Sequence, residues 1–253
     1  MDGYYILLLI MSVLAVVVFI ALYFVEAGYG VFYSKKWGVP INNKLGWVLM
    51  ELPVFVTMLV LWLRSSRVDN ITCIVILVIF EIHYLHRSLV FPFLMRGKSN
   101  MALIIMLLGM LFNCVNALMQ GGWLFYKSPD DYYTIDWLTT PQFIIGTIIF
   151  FVGMIINIHS DNIIRNLRKN GDTKHYLPKG GMFKYVTSAN YFGELVEWIG
   201  FAILTYSLSG VVFVLWTFAN LAPRAARIYN HYKSEFGDEL DTKKVKRIIP
   251  FIY

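Results

Sequence analysis

The segment Asn157-Ile158-His159-Ser160-Asp161 ends a long apolar run, Phe143 to Ile156, with an amide, an imidazole, a hydroxyl and a carboxylate. Such groups are costly in or beside lipid unless they face a protein interior or a ligand. Asn157 and Asp161 are four residues apart and share a helical face. A basic stretch follows, with Arg165, Arg168, Lys169 and Lys174, and then Gly180-Gly181, which by itself reads as a plain turn. Asn190, Glu194 and Glu197 come next at the i, i+4, i+7 spacing of one stripe and re-enter an apolar run. Two carboxylates on one stripe at a membrane edge repel unless donors face them, and amide and ribose hydroxyl groups are suitable donors. Polar groups on two membrane edges with a positive loop between them suit an anion with a polar body, such as a dinucleotide. The plain reading of Glu197 is a solvated helix end, and Trp198 beside it reads first as an interfacial anchor.

A second set of polar residues lies deeper in apolar sequence. Glu51 sits between Met50 and Leu52-Pro53, and Pro53 removes a backbone donor and tends to kink a helix. A buried carboxylate needs a partner or a shifted pKa. The next apolar run offers Glu81, His83, Tyr84, His86 and Arg87, of which His83, Tyr84 and Arg87 share a face. For Glu81 and His83 the plain reading is a buried ion-pair network that fixes helix packing.

These residues need a membrane bundle to position them. The chain has 253 residues, 58% hydrophobic and only 15% charged, whereas a soluble domain is about a quarter charged. Seven apolar segments read as spans of an all-α bundle: 4–25, 45–63, 71–94, 101–124, 141–160, 191–207 and 210–224. The last two are short, separated by Ser207-Leu208-Ser209-Gly210, and read as a helical hairpin or one long broken helix. The first segment lacks the basic leader and small-residue cleavage site of a signal peptide. The loops after spans one, three and five and the C-terminal tail carry most of the Lys and Arg. That asymmetry puts the N-terminus outside or in the lumen and the C-terminus in the cytosol. The polar motifs at 157–161, 165–190 and 224–232 then all reach the cytosolic side.

The net charge of +6 is spread over short loops and does not point to nucleic acid. Cys73 and Cys114 lie inside spans, which argues for packing and against a disulfide. His159, His175 and His231 lack metal-ligand spacing with any Cys or second His, so no metal is assigned. No Gly-x-Gly-x-x-Gly and no Walker sequence occurs, so a nucleotide site here is not of the Rossmann kind.

Several motifs carry a family likeness in order along nearly the whole chain. They are Glu51-Leu52-Pro53, His83-Tyr84-Leu85-His86-Arg87, Arg96-Gly97, Asn157 to Asp161, Leu167-Arg168-Lys169, Gly180-Gly181, Ala189-Asn190, Gly193-Glu194, Glu197-Trp198-Ile199-Gly200 and Ile249 to Tyr253. With these the chain resembles the steroid 5α-reductases. The resemblance implies an NADPH-dependent reductase of 3-oxo-Δ4 steroids, a seven-helix bundle and hydride transfer to steroid C5. It implies that Tyr84 and Glu51 polarise the C3 carbonyl, with Met50 and Trp198 on the substrate side. Tyr29, Asn157, Asp161, Arg168, Asn190, Glu194, Arg224 and Tyr232 match the family's cofactor contacts. Arg87, Arg96 and Lys98 are cytosol-side cations suited to the phosphates. Residues 1–124 would then serve mainly the substrate and 141–253 mainly NADPH, in a monomer set in the inner membrane of a bacterium or the endoplasmic reticulum of a eukaryote.

This chain departs from the family pattern at three places. Met50 stands where the family usually has Gln, His175-Tyr176 precedes Pro178 where the family often has Tyr and a cation, and Ile228 stands where a His is usual. A related membrane enone reductase acting on enoyl-CoA or a polyprenol precursor would use the same nicotinamide apparatus. A membrane methyltransferase would instead bind S-adenosylmethionine, which needs no cation-rich loop at 165–184. A transporter would show repeats and paired broken helices, and neither is visible.

Overall fold

The computed structural model describes residues 2–25, 37–96, 99–167, 176–237 and 239–253. Among them, six helices are long and apolar enough to cross a membrane: Gly3–Phe24, Asn43–Leu63, Ile71–Leu94, Leu103–Lys127, Pro141–Asn166 and Leu208–Phe236. The protein is an all-α, multi-pass membrane protein. The sixth apolar segment of the sequence forms α7, Ala189–Thr205, with 17 residues. At 1.5 Å per residue it rises about 26 Å, less than a hydrocarbon core of about 30 Å. The remaining helices are α1 (Gly3–Phe24), α2 (Asn43–Leu63), α3 (Ile71–Leu85), α4 (Phe91–Leu94), α5 (Leu103–Gly122), α6 (Pro141–Asn166) and α8 (Leu208–Phe236).

The chain divides into two compact units, one of Met1–Leu9 and Val25–Ile144 and one of Ile10–Phe24 and Ile145–Tyr253. In the first unit α2 packs along α5 and α3. Helix α2 starts at Asn42, whose side chain accepts from the Lys44 and Leu45 amides. Helix α3 starts at Asn70, whose side chain accepts from the Cys73 amide. Two π-helical turns, His86–Val90 after α3 and Trp123–Lys127 after α5, have no signal in the hydropathy pattern. The same holds for a short antiparallel pair, β1 (Pro40–Asn42) with β2 (Asn100–Ala102), in register Ile41 opposite Met101. Cations of the loops at the other end are neutralised locally. Arg67 meets Asp130 at 3.1 Å, and Lys127 meets Asp2 at 2.7 Å and holds its carboxyl below the usual range. Tyr133 is buried there among Trp123, Tyr132 and Trp137, and burial pushes its hydroxyl well above the usual phenol range.

The second unit is built on backbone contact between α6 and α7. A Cβ on Gly153 would lie 2.7 Å from the Gly193 carbonyl, and one on Gly193 would lie 2.8 Å from the Gly153 carbonyl. Two turns away, a Cβ on Gly146 would lie 2.8 Å from the Gly200 carbonyl and one on Gly200 2.7 Å from that of Gly146. Small residues at matched positions let membrane helices approach this closely, and dispersion then holds them. Tyr206, in the left-handed conformation at φ 46°, ends α7 and turns the chain into α8. The last two segments are therefore a helical hairpin. Helix α8 runs to Phe236, twelve residues past the apolar segment read from the sequence at 210–224. The tail then lies along the residues before α7. Lys246 donates to the Tyr185 carbonyl at 2.8 Å, and the Thr187 and Ser188 amides donate to the Lys246 and Arg247 carbonyls at 2.9 and 3.1 Å.

Gly200→Val places a branched side chain against the Phe150 and Gly146 backbones, which cannot move independently. We expect a loss of stability on the order of 1–3 kcal/mol or more, read as a lower unfolding temperature in detergent. Gly109→Ala meets only the flexible thioether of Met50 and should cost less than about 1 kcal/mol in the same assay.

Candidate active site

In the first unit α5 supplies three amides, Asn113, Asn116 and Gln120, on one helical stripe. All three are buried. The Asn113 amide nitrogen donates to the Met50 carbonyl at 2.8 Å and to Glu51 Oε2 at 3.0 Å, so both of its hydrogens are used. Asn116 Nδ2 donates to the Tyr84 hydroxyl at 3.0 Å, and Gln120 Nε2 donates to Asn116 Oδ1 at 3.2 Å. Tyr84 is 3% exposed and lies against Phe80 and His83. The stripe thus holds Glu51 of α2 and Tyr84 of α3 at defined places in an apolar bundle.

The sequence directs attention to the 71–94 run for partners of Glu51, whereas the structure adds Asn113 of α5. The available signal was three amides at i, i+3 and i+7 inside an apolar run, each costly in lipid unless turned inward. The ion-pair network expected around Glu81 does not form. Glu81 is 8% exposed, and neither carboxyl oxygen has a hydrogen-bond partner among the described residues.

Two residues after Tyr84 the chain enters the π-helical turn, a local form often found at functional sites. Ser88 Oγ there donates to the Tyr84 carbonyl at 2.6 Å. Arg87, in the same turn, holds its guanidinium carbon 4.5 Å from the centre of the Trp47 ring and 4.7 Å from that of Phe91. Arg96 is exposed. Met50 fills the space left by Gly109, where an added Cβ would lie 2.6 Å from Met50 Cγ.

In the second unit Asn157 and Asp161 of α6 meet Asn190 in the first turn of α7. Asn157 Nδ2 donates to the Asn190 carbonyl at 2.9 Å, and Asn190 Nδ2 donates to Asp161 Oδ1 at 3.0 Å. Glu194 lies one turn along, half-buried. Glu197 is fully buried, so the reading of a solvated helix end fails. Trp198 is 1% exposed and enclosed by Phe150, Phe201 and Phe213, with ring centroids 6.1, 5.8 and 4.6 Å away. Its indole is a core group and not an interfacial anchor. The turn at Gly180-Gly181 has φ of 93° and 49°, and a Cβ on Gly181 would lie 2.7 Å from His159 Cε1. That turn needs glycine twice over, for its backbone angles and for the histidine ring it packs on.

Helix α8 carries Arg224 and Tyr232, both half-buried. Its Arg227 donates to the Leu22 carbonyl of α1, and His231 pairs with Glu235 at 3.0 Å. Tyr29, Lys98 and Arg168, expected to contact cofactor, lie outside the described residues.

The donor set of the second unit fits a nicotinamide dinucleotide in kind. Asp161 and Glu194 are acceptors for hydroxyl and amide groups, Asn157 and Asn190 are amides at the same helix ends, and Arg224 is a cation. The fold and these two polar sets define an integral membrane protein that buries hydrogen-bonded polar groups among apolar helices. The sequence model of 3-oxo-5-alpha-steroid 4-dehydrogenase matches residues 99–253. The chain is 44% identical over 242 residues to "3-oxo-5-alpha-steroid 4-dehydrogenase 1" of Mus musculus, covering 94% of this chain and 92% of that one. It is 40% identical over 215 residues to the Homo sapiens protein of that name, covering 84% and 81%. "Steroid 5-alpha-reductase DET2" of Arabidopsis thaliana is 33% identical over 240 residues, covering 92% and 90%. The chain belongs to the 3-oxo-5-alpha-steroid 4-dehydrogenase family.

Asn190→Leu removes the donor to Asp161 and leaves the Asn190 backbone carbonyl in place for Asn157. The protein should lose about 1–3 kcal/mol of stability, measured by unfolding in detergent without ligand. An unchanged midpoint would mean that this hydrogen bond does not fix α7 against α6.

Proposed function

We propose that this chain is an NADPH-dependent steroid 5α-reductase that saturates the Δ4 double bond of 3-oxo-Δ4 steroids. One observation in a chain of this family supports the reading most directly. It is a tyrosine hydroxyl, Tyr84, buried in an apolar bundle and held by an amide 3.0 Å away. NADPH, when bound, supplies the hydride that adds at steroid C5. The C4–C5 π pair then moves toward C3, negative charge gathers on the C3 oxygen, and a proton adds at C4. Tyr84 donates a hydrogen bond to that oxygen. A fixed donor in a dry site stabilises the developing charge far better than mobile water does. Glu51, anchored by Asn113, orients the same cluster, and Met50 flanks it on the substrate side.

Asn157, Asp161, Asn190, Glu194, Arg224 and Tyr232, together with Tyr29 and Arg168, hold the cofactor. Asp161 and Glu194 accept from hydroxyl and amide groups. Arg168, Arg224, Arg96 and Lys98 meet the phosphates, for which a guanidinium fork is well shaped. Arg87 adds charge there while its guanidinium is held against the Trp47 and Phe91 rings. Residues 1–124 serve mainly the substrate and 141–253 mainly the cofactor. Helix α7 counts as a seventh crossing, with its Asn190 and Glu194 end at the cytosolic edge, the N-terminus outside or luminal and the C-terminus cytosolic. The protein works as a monomer in a bacterial inner membrane or the endoplasmic reticulum.

Purified protein in detergent should oxidise NADPH when testosterone or progesterone is added. The product should carry two more hydrogens, in 5α configuration by mass spectrometry and chromatography. Retention on a 2′,5′-ADP resin without steroid turnover would point instead to a related enone reductase. Retention only on an S-adenosylhomocysteine resin would point to a methyltransferase.

Tyr84→Phe should lower kcat by about 100-fold or more with NADPH binding unchanged, as for loss of an oxyanion donor. Arg168→Ala should raise the KM for NADPH far more than it alters folding, and an unchanged KM would remove Arg168 from the phosphate site.

A further inference from the structure

We propose that Asn116, itself set by Gln120, is a positioning residue that dictates where the Tyr84 hydroxyl proton points. The inference rests on the reading of Tyr84 as the donor to the substrate carbonyl and extends it. A tyrosine hydroxyl can donate one hydrogen bond and accept others. As an acceptor it polarises nothing, so a site that needs it as a donor must keep its proton away from neighbouring oxygens. In the first unit the amide nitrogen of Asn116 meets the Tyr84 oxygen at 3.0 Å. An amide NH2 cannot accept, so in this bond Tyr84 accepts, and its own proton is left for an oxygen other than that of Asn116. In the substrate complex that oxygen is the C3 carbonyl.

The amide of Asn116 would lose this selectivity if it turned over, because its oxygen would then take the proton. Gln120 prevents that. Its Nε2 donates to Asn116 Oδ1 at 3.2 Å, and a flipped Asn116 would place two NH2 groups against each other. Asn116 is wholly buried and Gln120 is 3% exposed, so no bulk water competes for these bonds. Donation in one direction along Gln120, Asn116 and Tyr84 also polarises each bond in the next, which strengthens the last donor. Asn113, one turn earlier, makes no such bond to Tyr84 and is spent on Met50 and Glu51.

Asn116→Asp is the decisive variant. It is nearly isosteric and replaces the NH2 facing Tyr84 with an oxygen that captures the tyrosine proton. Steroid-dependent kcat should fall about as far as in Tyr84→Phe, on the order of 100-fold, while NADPH affinity, measured by direct binding, stays the same. Gln120→Met keeps the volume, removes the donor that orients Asn116, and should lower kcat several-fold. Each variant is also made in the Tyr84→Phe background, where a residue acting only through the Tyr84 hydroxyl has no further effect. Loss of kcat in the single variants that vanishes in that background is the expected result. The proposal is overturned if Asn116→Asp keeps kcat within about twofold of the parent, or if its loss multiplies with that of Tyr84→Phe. Should Asn116→Asp fail to fold, the Gln120→Met cycle decides by the same criterion, vanishing or multiplying. If Tyr84→Phe itself leaves kcat unchanged, the Tyr84 reading fails first. That outcome is visible before any Asn116 variant is considered.

Discussion

The second unit depends on backbone contact between α6 and α7 at four glycines. Lipid tails are as apolar as leucine, so apolar side chains gain little by leaving lipid for another helix. What holds two membrane helices together is close approach, and close approach needs positions without a Cβ. Gly146 and Gly153 on α6 and Gly193 and Gly200 on α7 are each two turns apart and meet as two reciprocal pairs. The polar residues are set by this contact. The backbone at Asn157 abuts Gly193, and the backbone at Glu197 abuts Gly153. With the helix separation fixed, Asn157 and Asp161 reach Asn190 at 2.9 and 3.0 Å. The C-terminal tail adds a second restraint, since its bonds to residues 185–188 end where α7 begins.

The first unit solves the same problem by other means. Its functional candidates are held by side-chain amides, a costlier device in an apolar bundle. A buried polar group without a partner loses its hydration and gains nothing in return. Asn113 avoids that by using both hydrogens, and one of them goes to the Met50 carbonyl three residues before Pro53. Pro53 lies inside α2 without breaking it, and an amide from α5 takes up a carbonyl one turn earlier. Direction is the gain from such bonds. Apolar packing can hold a tyrosine ring, but only a hydrogen-bond partner can decide how its hydroxyl is turned.

Much of this was legible in the sequence because it follows from period and charge. The first three spans fall within two residues of α1, α2 and the continuous helix to Leu94. The polar ends at 157–161 and at 190–194 were legible because polar groups interrupt long apolar runs. What escaped has identifiable causes. Helix α8 continues well past its apolar part because its later turns are amphipathic, and hydropathy alone stops at the first cations. The pairing of β1 with β2, and of the tail with residues 185–188, joins residues about sixty apart with no local signal. Glu197 and Trp198 read as a membrane edge because a carboxylate and an indole are common there. Burial by neighbouring helices overrode that preference. The amides of α5 escaped because each is a single polar residue among apolar ones, visible only when the stripe is read as a whole.

The two devices differ in what they tolerate. A glycine contact admits almost no substitution, since any side chain meets backbone on the facing helix. The amide stripe admits change at its margins so long as the bonds to Glu51 and Tyr84 persist. Met50 is such a margin. Asn113 bonds its backbone carbonyl and not its side chain, so the anchoring of Glu51 does not depend on what residue 50 carries. A thioether can stand there in place of an amide without loosening the cluster, and Gly109 leaves it room. The side chain at residue 50 is thereby separated from the bonds that hold Glu51, because Asn113 uses only the backbone at that position.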